Sequence, residues 1–400
     1  MNQVKLESVC DIKNGYAFKS TEFLKEGIPL LRISSFDNGP VKIDKKTVYV
    51  NQNNLVTKSD FKVEKGDILI ALSGATTGKY GIYTDNEPSL LNQRVGLLKS
   101  GKATELSGKY FYYYLSILQT EIFRKAGGAA QPNISTKAIG EMLIPLPPLE
   151  QQKKIASILD AADTYRQKTK ALIAKYDELT QSLFLDMFGD PVKNEKGWEV
   201  IDLKKLTTKI GSGNTPKGGS DVYVEKGITF FRSQNVWKNR IIYKDIAFID
   251  QETHNKMTNS SLKHKDILIT KTGRFNTENS SLGRAAIYLG EDDQANVNGH
   301  VYLIRLKNDV AHEFVLHILT SRFYQEHIRR VCVGGIDKRQ LNKNHIEDFP
   351  IISPPVRIQK TFLARLLLIH TDQDQMKVNL EKADTLFNSL LQKAFKGDLV

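Results

Sequence analysis

The chain repeats itself at a fixed spacing, and this limits what it can fold into more than any other feature. Gly127-Gly128 recurs as Gly334-Gly335, 207 residues later, and the same offset carries Ile139 to Ile346, Pro147-Pro148 to Pro354-Pro355 and Gln152-Lys153 to Gln359-Lys360. It persists through Asp177 and Asp384, Ser182-Leu183 and Ser389-Leu390, and Phe188 and Phe395. Upstream the copies match only in islands: Gly27-Ile28 with Gly227-Ile228, Leu31-Arg32 with Phe231-Arg232, and Asn92 with Asn298. Lys65-Gly66-Asp67-Ile68-Leu69-Ile70 likewise pairs with His264-Lys265-Asp266-Ile267-Leu268-Ile269. Between the islands the copies differ in length and chemistry. A shared framework with unlike loops implies one task performed on two different targets.

Each upstream copy alternates short apolar strands, at 68–72, 95–98, 267–270 and 301–306, with Gly, Asn, Ser and Pro turns. Each also holds one helical stretch, near 109–125 and near 312–330. After Pro145-Leu146-Pro147-Pro148 the pattern becomes helical, with Ile155, Ile158, Ala162, Tyr165, Thr169, Leu172, Tyr176, Leu179 and Leu183 at three–four spacing. Gly189-Asp190-Pro191 stops it. After Pro354-Pro355 the second seam runs Phe362, Leu366, Ile369, Met376, Leu380, Ala383, Phe387 and Leu390. Some forty residues at ~1.5 Å each give a helix roughly 60 Å long. The expected fold is α+β: two mixed α/β domains at 1–147 and 191–353, separated by long helices at 148–190 and 354–400. The helices are expected to pair as an antiparallel coiled coil with an internal pseudo-two-fold repeat. Packing of each stripe on its own domain is the alternative.

Lysine and arginine total 57 against 45 acidic residues, a net charge of +12 that draws the chain toward a polyanion such as nucleic acid. No apolar run is long enough to span a membrane, and the first residues have no signal-peptide core, so a cytoplasmic location is expected. Cys10 and Cys332, one in each half, read as free thiols. The eight histidines have no metal-ligand spacing, so no metal is expected. Ser73-Gly74-Ala75-Thr76-Thr77-Gly78-Lys79-Tyr80 resembles a phosphate loop, but it has one residue too few between its glycines and Tyr80 where Ser or Thr is needed. No nucleophile elbow or carboxylate pairing supports catalysis, and no cofactor is expected on the chain itself. Tyr110, Tyr112, Tyr113 and Tyr114 read as helix core rather than a base-stacking platform.

The loops suit DNA better. Arg32, Ser34 and Asn38 in the first copy stand opposite Arg232, Gln234, Asn235, Trp237 and Lys238 in the second. Ser73, Thr76, Thr77 and Lys79 stand opposite the segment carrying Lys271, Arg274, Phe275 and Asn276, and Asn92, Gln93 and Arg94 opposite Asn298 and His300. Lys338 and Arg339 complete the set. Asn, Gln and Arg can form paired hydrogen bonds with adenine and guanine edges, while Lys and Ser hold phosphates. Any one of these reads equally well as a solvated loop residue; recurrence at matching places favours DNA contact.

Ile144-Pro145-Leu146-Pro147-Pro148-Leu149-Glu150-Gln151-Gln152-Lys153-Lys154-Ile155 resembles the helix start of specificity subunits of type I restriction–modification systems. Lys65-Gly66-Asp67-Ile68-Leu69-Ile70 with its following Ser-Gly, the Asn92-Gln93 step and Gly189-Asp190-Pro191 also resemble that family, and the likeness covers essentially the whole chain. The second copy departs at Pro355-Val356-Arg357-Ile358-Gln359, which lacks the acidic residue, and at Gly299-His300. The resemblance implies a non-catalytic subunit whose two target-recognition domains each read a half-site of double-stranded DNA, while the helices set the gap. It implies two methyltransferase subunits that carry S-adenosylmethionine, and motor–nuclease restriction subunits. A stand-alone regulator reading two half-sites is the competing expectation. A lone adenine methyltransferase is not: neither double proline follows Asn or Asp.

Overall fold

The computed structural model describes residues 2–100, 105–127, 132–274, 280–335 and 338–399; Gly128, Phe275 and Asn276 lie outside the described residues. The chain divides into two compact units, residues 1–171 with 377–400, and residues 172–376. Each holds one repeat's domain and part of both long helices.

In the first unit, β1 (Gln3–Lys5) is followed by β2 (Asp11–Asn14), β3 (Ile28–Leu31), β4 (Gly39–Val41), β5 (Val48–Val50), the short α1 (Asn54–Thr57) and β6 (Lys62–Val63). Then come β7 (Ile68–Ala71), β8 (Tyr80–Tyr83), β9 (Ser89–Leu91), β10 (Val95–Lys99), α2 (Gly108–Lys125), α3 (Thr136–Gly140), β11 (Leu143–Pro145) and α4 (Leu149–Phe188), whose residues from Leu172 onward belong to the second unit. Sheet β2-β10-β7-β8-β4 faces sheet β5-β3-β9-β6, and β1 pairs with β11. All four residues of β7 are buried, because both of its faces are covered. The pleat still sorts them: Leu69 enters the core beside Leu31, Leu91 and Val95, while Ile68 and Ile70 enter the core shared with α2. The tyrosines of α2 belong to that second core. The Tyr110 hydroxyl donates to Pro145 O at 2.8 Å, and the Tyr113 hydroxyl to Asp160 Oδ1 at 2.7 Å.

The second unit repeats this topology through β12 (Val200–Asp202), α5 (Leu203–Leu206), β13 (Thr207–Ser212), β14 (Ile228–Phe231), β15 (Val236–Trp237), β16 (Arg240–Ile241), β17 (Ala247–Ile249) and α6 (Gln251–Lys256). Next are β18 (Ile267–Thr270), β19 (Thr272–Gly273), β20 (Ala285–Ile287), β21 (Ala295–Val297), β22 (Val301–Leu306), α7 (His312–Thr320) and α8 (Arg322–Val331). The unit closes with β23 (Val333–Gly334), β24 (Arg339–Gln340), α9 (Lys343–Glu347), β25 (Pro350–Ile352) and the first half of α10 (Val356–Lys396), whose residues from Lys377 onward belong to the first unit. Sheets β13-β22-β18-β20 and β17-β14-β21 follow the order of the pair in the first unit with one edge strand fewer in each, and β12 pairs with β25. Leu268 faces one core, and Ile267 and Ile269 the other. The single helix expected at 312–330 is two, because Ser321 adopts an extended conformation and its hydroxyl accepts from Tyr324 N at 3.2 Å, capping α8.

The repeated aspartate before each central strand is scaffold. Asp67 Oδ2 accepts from Glu64 N, and Asp266 Oδ2 from Lys263 N, both at 2.8 Å. The turns pass through left-handed Gly66 and Lys265. The repeated glutamine after each double proline anchors a helix start. Buried Gln152 donates to Glu105 O and Pro147 O at 2.7 and 2.8 Å, and Gln359 donates to Pro354 O at 2.8 Å.

Within each unit the two long helices run antiparallel. In the first, Ile155, Ala156 and Leu159 share a core with Phe387, Leu391 and Ala394. Arg166 Nε reaches Asp384 Oδ1 at 2.6 Å, with its guanidinium 4.3 Å from the Phe387 ring centroid. In the second, Phe184 and Phe188 pack on Phe362, and Gln373 Nε2 donates to Asp177 Oδ1 at 2.8 Å. The stripes thus pack on the partner helix and, near their ends, on a domain as well. On α10, Phe362 and Leu366 are buried, and Ile369, Met376, Leu380 and Leu390 half-buried. On α4, Ile155 is buried and Ile158 and Leu183 half-buried, but Tyr165, Leu172 and Leu179 are 53%, 44% and 49% exposed. The middle of the α4 seam is corrected by one residue, to Leu159, Arg166 and Ile173. Counting apolar residues alone hides a seam position occupied by an arginine that has its own carboxylate and ring to meet. Arg166 and Gln373 are themselves one repeat apart, as are Asp177 and Asp384.

Candidate nucleic-acid interface

The ends of the central strands carry the same hydrogen-bonded frame in both units. Leu72 N donates to Arg94 O, as Lys271 N does to His300 O, each at 2.9 Å. Asn92 N reaches Leu31 O at 3.1 Å, and Asn298 N reaches Phe231 O at 2.9 Å. Ile134 N bonds Leu72 O, and Leu341 N bonds Lys271 O, each at 2.9 Å. These bonds gather the loops that follow Leu31, Leu72, Leu91 and Pro132 in the first unit, and those after Phe231, Thr270, Val297 and Val333 in the second. Gly15 and Gly213 run so close beneath the 92–94 and 298–300 turns that a Cβ would lie 2.3 Å from Asn92 O or 2.1 Å from Asn298 O. The loops singled out in the sequence therefore converge in each unit, on bonds made by backbone atoms.

Several side chains expected to face DNA are committed to the protein instead. Thr77 is buried, its hydroxyl donating to Gly74 O at 2.7 Å and Pro132 O at 3.0 Å. Asn235 is fully buried, donating to Ile242 O at 3.0 Å and accepting from Arg232 N at 3.0 Å. Asn298 caps its own turn by accepting from His300 N at 3.1 Å, and Asn38 accepts from Tyr80 N at 3.2 Å. Lys271 braces two loops: its ammonium donates to Ser212 Oγ at 2.6 Å and Gly299 O at 2.9 Å, above the Tyr302 ring, and burial lowers its pKa. Buried Thr77 and Asn235 are thereby corrected from DNA contacts to frame, while exposed Asn38 and half-buried Asn298 and Lys271 brace their loops. A buried amide or ammonium must find partners locally, and a short turn offers backbone carbonyls first.

Others lie outward. Arg32, Ser34, Gln93 and Arg94 in the first unit, and Gln234, Arg274, His300 and Lys338 in the second, are exposed. Lys238, though partly exposed, lies near Asp177 and His317, and burial lowers its pKa. Asn92, Arg232, Trp237 and Arg339 are half-buried; Arg232 donates to Asp245 O, and Arg339 Nη1 to Cys332 O at 3.2 Å. Ser73 Oγ and Thr76 Oγ1 are buried with no hydrogen-bond partner among the described residues. Lys79 meets Asp37 at 2.7 Å, a bond that lowers the Asp37 pKa.

Sequence reasoning missed Arg284. Left-handed Gly78 and Gly283 donate to Ala71 O and Thr270 O at 2.8 and 3.0 Å and press on Ile122 and Ile328 respectively, so Arg284 occupies the place of Lys79. The loop between is longer in the second copy, which carried the alignment past it. The glycine–cation step just before a strand was the available signal. Arg284 stacks on Trp237 where Lys79 meets Asp37. No group of three or more potential metal ligands occurs among the described residues. No helix there is long and apolar enough to cross a membrane.

Residues 1–176 and 195–377 match the family described as the type I restriction modification DNA specificity domain. The chain is 24% identical over 428 residues to the type I restriction enzyme EcoBI specificity subunit of Escherichia coli, covering 99% of this chain and 86% of the relative. It is 24% identical over 397 residues to the MjaVIII specificity subunit of Methanocaldococcus jannaschii, covering 95% and 86%. Among solved structures, it is similar to the type I restriction–modification S subunit from M. genitalium, with a TM-score of 0.56 and 17% identity over 98% of this chain and 96% of that one. A chain from a structure addressing complex assembly and conformational transition of the type I system gives a TM-score of 0.57 and 17% identity over 100% and 98%.

Proposed function

Because the chain belongs to the type I restriction–modification DNA specificity family, we propose that it reads a split, asymmetric DNA sequence, one half-site per unit. In this reading it directs methyltransferase and restriction subunits to that sequence. The observation that carries the reading is the repeated frame: equivalent backbone bonds anchor the loops that carry exposed Arg32, Ser34, Gln93 and Arg94 in one unit, and exposed Gln234, Arg274, His300 and Lys338 in the other. Equal frames with unlike side chains suit unlike half-sites. The net charge of +12 supplies attraction to phosphates without specifying sequence. The chain is the recognition component and not the catalyst. S-adenosylmethionine and the methyl-transfer chemistry belong to two methyltransferase subunits, cleavage to the restriction subunits, and the complex acts in the cytoplasm.

Leu172 and Leu179 on α4, with Leu367 and Leu368 on α10, leave apolar side chains exposed in the second unit and suit a docking methyltransferase subunit. The test is to co-express the chain with its methyltransferase subunit and map methyladenine across the host genome by single-molecule sequencing. A new split, asymmetric motif is expected. No new methylation from a complex shown to assemble would overturn the reading in favour of a regulator.

A further inference from the structure

In the second unit, residues 233–241 form a chain of supports that ends in one exposed amide. Asn235 anchors the segment from inside through Ile242 O and Lys244 O. Trp237, on the β15–β16 hairpin, donates its indole N–H to Gln234 O at 3.1 Å. The Arg284 guanidinium lies 3.9 Å from the Trp237 ring centroid, and its Nε donates to Ser280 O at 2.9 Å. Asn239 N binds Ala285 O at 2.8 Å, tying the hairpin to the strand that Arg284 precedes. The plane of Arg284 therefore fixes the indole, the indole fixes the backbone of Gln234, and the Gln234 side chain is exposed.

A glutamine offers a donor and an acceptor side by side, the pair complementary to adenine N7 and N6 in the major groove. In the first unit the same places hold Ser34, Asp37 and Lys79, a hydroxyl beside an ion pair. We propose that Gln234 reads an adenine in the second half-site and that Arg284, acting through Trp237, is its positioning residue. The proposal rests on the DNA-recognition reading above. A planar guanidinium stacks on the indole in a way that a lysine ammonium does not, so Arg284→Lys should rescue only part of what Arg284→Ala loses.

The test uses the complex with the methyltransferase subunit, measuring methylation across a DNA library randomised in both half-sites. Gln234→Ala, an exposed change that should leave the fold intact, is expected to relax one base pair of one half-site, on the order of tenfold to a hundredfold. Arg284→Ala should relax the same base pair and leave the other half-site untouched. The double variant should be no worse there than Gln234→Ala alone. Unchanged preference in Gln234→Ala would overturn the proposal while leaving the wider reading intact. So would an Arg284→Ala complex that loses methylation equally on every sequence, since that marks a prop for the fold or a phosphate contact. A wild-type complex with no preferred sequence would remove the DNA-recognition reading and this proposal together.

Discussion

Replacing Phe362 with alanine should unfold the second unit far more readily than placing two glutamates on α4 at Leu172 and Leu179. Phe362 is fully buried, with ring centroids 5.6 Å from Phe184, 5.3 Å from Phe188 and 5.0 Å from His317. Truncating such a ring costs about 3–5 kcal/mol through lost transfer energy and the cavity left behind. In a unit of this size each kcal/mol moves the melting temperature by roughly 2–4 °C, so the drop should be roughly 6–20 °C. Leu172 and Leu179 are 44% and 49% exposed. Substitutions at such places usually stay within about 0.5 kcal/mol, a degree or two of melting temperature. Scanning calorimetry of the purified chain reads both variants. A Leu172→Glu/Leu179→Glu chain that melts as early as Phe362→Ala would refute the seam placement and restore the register drawn from apolar residues alone. If the glutamate chain melts normally but no longer co-purifies with the methyltransferase subunit, the exposed leucines are a docking face.

Gly213→Ala should disturb recognition of the second half-site and Gly15→Ala that of the first, because each new methyl meets a backbone carbonyl oxygen that cannot yield without moving its turn. Methyladenine maps in which both half-sites change with either variant would contradict the separate frames. Burial against Phe184 and Phe362, with His370 and Lys238 nearby, lowers the His317 pKa to about 4. Between about pH 6.5 and 4 the unfolded chain then binds a proton that the folded chain refuses, so stability falls as pH falls through that window and is unaffected above it. His317→Phe should flatten that part of the melting-temperature profile relative to wild type; parallel profiles would show that His317 is not the group responsible.

What could be read from the sequence was whatever the frame needs twice. Glycines at close approaches, apolar central strands and proline–glutamine helix starts recur because backbone geometry demands them, and they gave the two domains and two helices. On α4, Ile155, Ala162, Thr169 and Tyr176 stand in the seam as expected, but the apolar pattern puts Tyr165 and Leu172 where Arg166 and Ile173 sit. Arg166 is invisible to a count of apolar side chains, although its contacts with Asp384 and Phe387 make it a seam residue. The break between α7 and α8 was missed because Ser321 acts through its own hydroxyl rather than through a proline or glycine. Asn235 and Thr77 have the same chemistry as the exposed loop residues proposed to meet DNA; only burial separates them, and burial within a loop has no periodicity to betray it. Arg284 escaped because loop length, not residue type, decides which cation stands beside the 37–41 and 237–241 segments.

The polar positions in the helix seams follow the same division between what must repeat and what can vary. The carboxylates, Asp177 and Asp384, are identical, while the donors that meet them, Arg166 at 2.6 Å and Gln373 at 2.8 Å, are not. A polar group in a seam generally lowers stability relative to an apolar one but penalises every register that leaves it unpaired. A repeated carboxylate therefore specifies the register in either unit, provided that the facing residue can donate. Both bonds end on a carboxylate, and the arginine bond, ionised on both sides, is the stronger; Arg166 also meets Asp163 at 3.1 Å and lies over the Phe387 ring. The same logic operates at the loops, where backbone donors and acceptors carry the frame and leave the exposed side chains free to differ. A chain built this way can change what one unit reads without disturbing how that unit folds. That separation is what the proposed reading of two unlike half-sites requires of a shared scaffold.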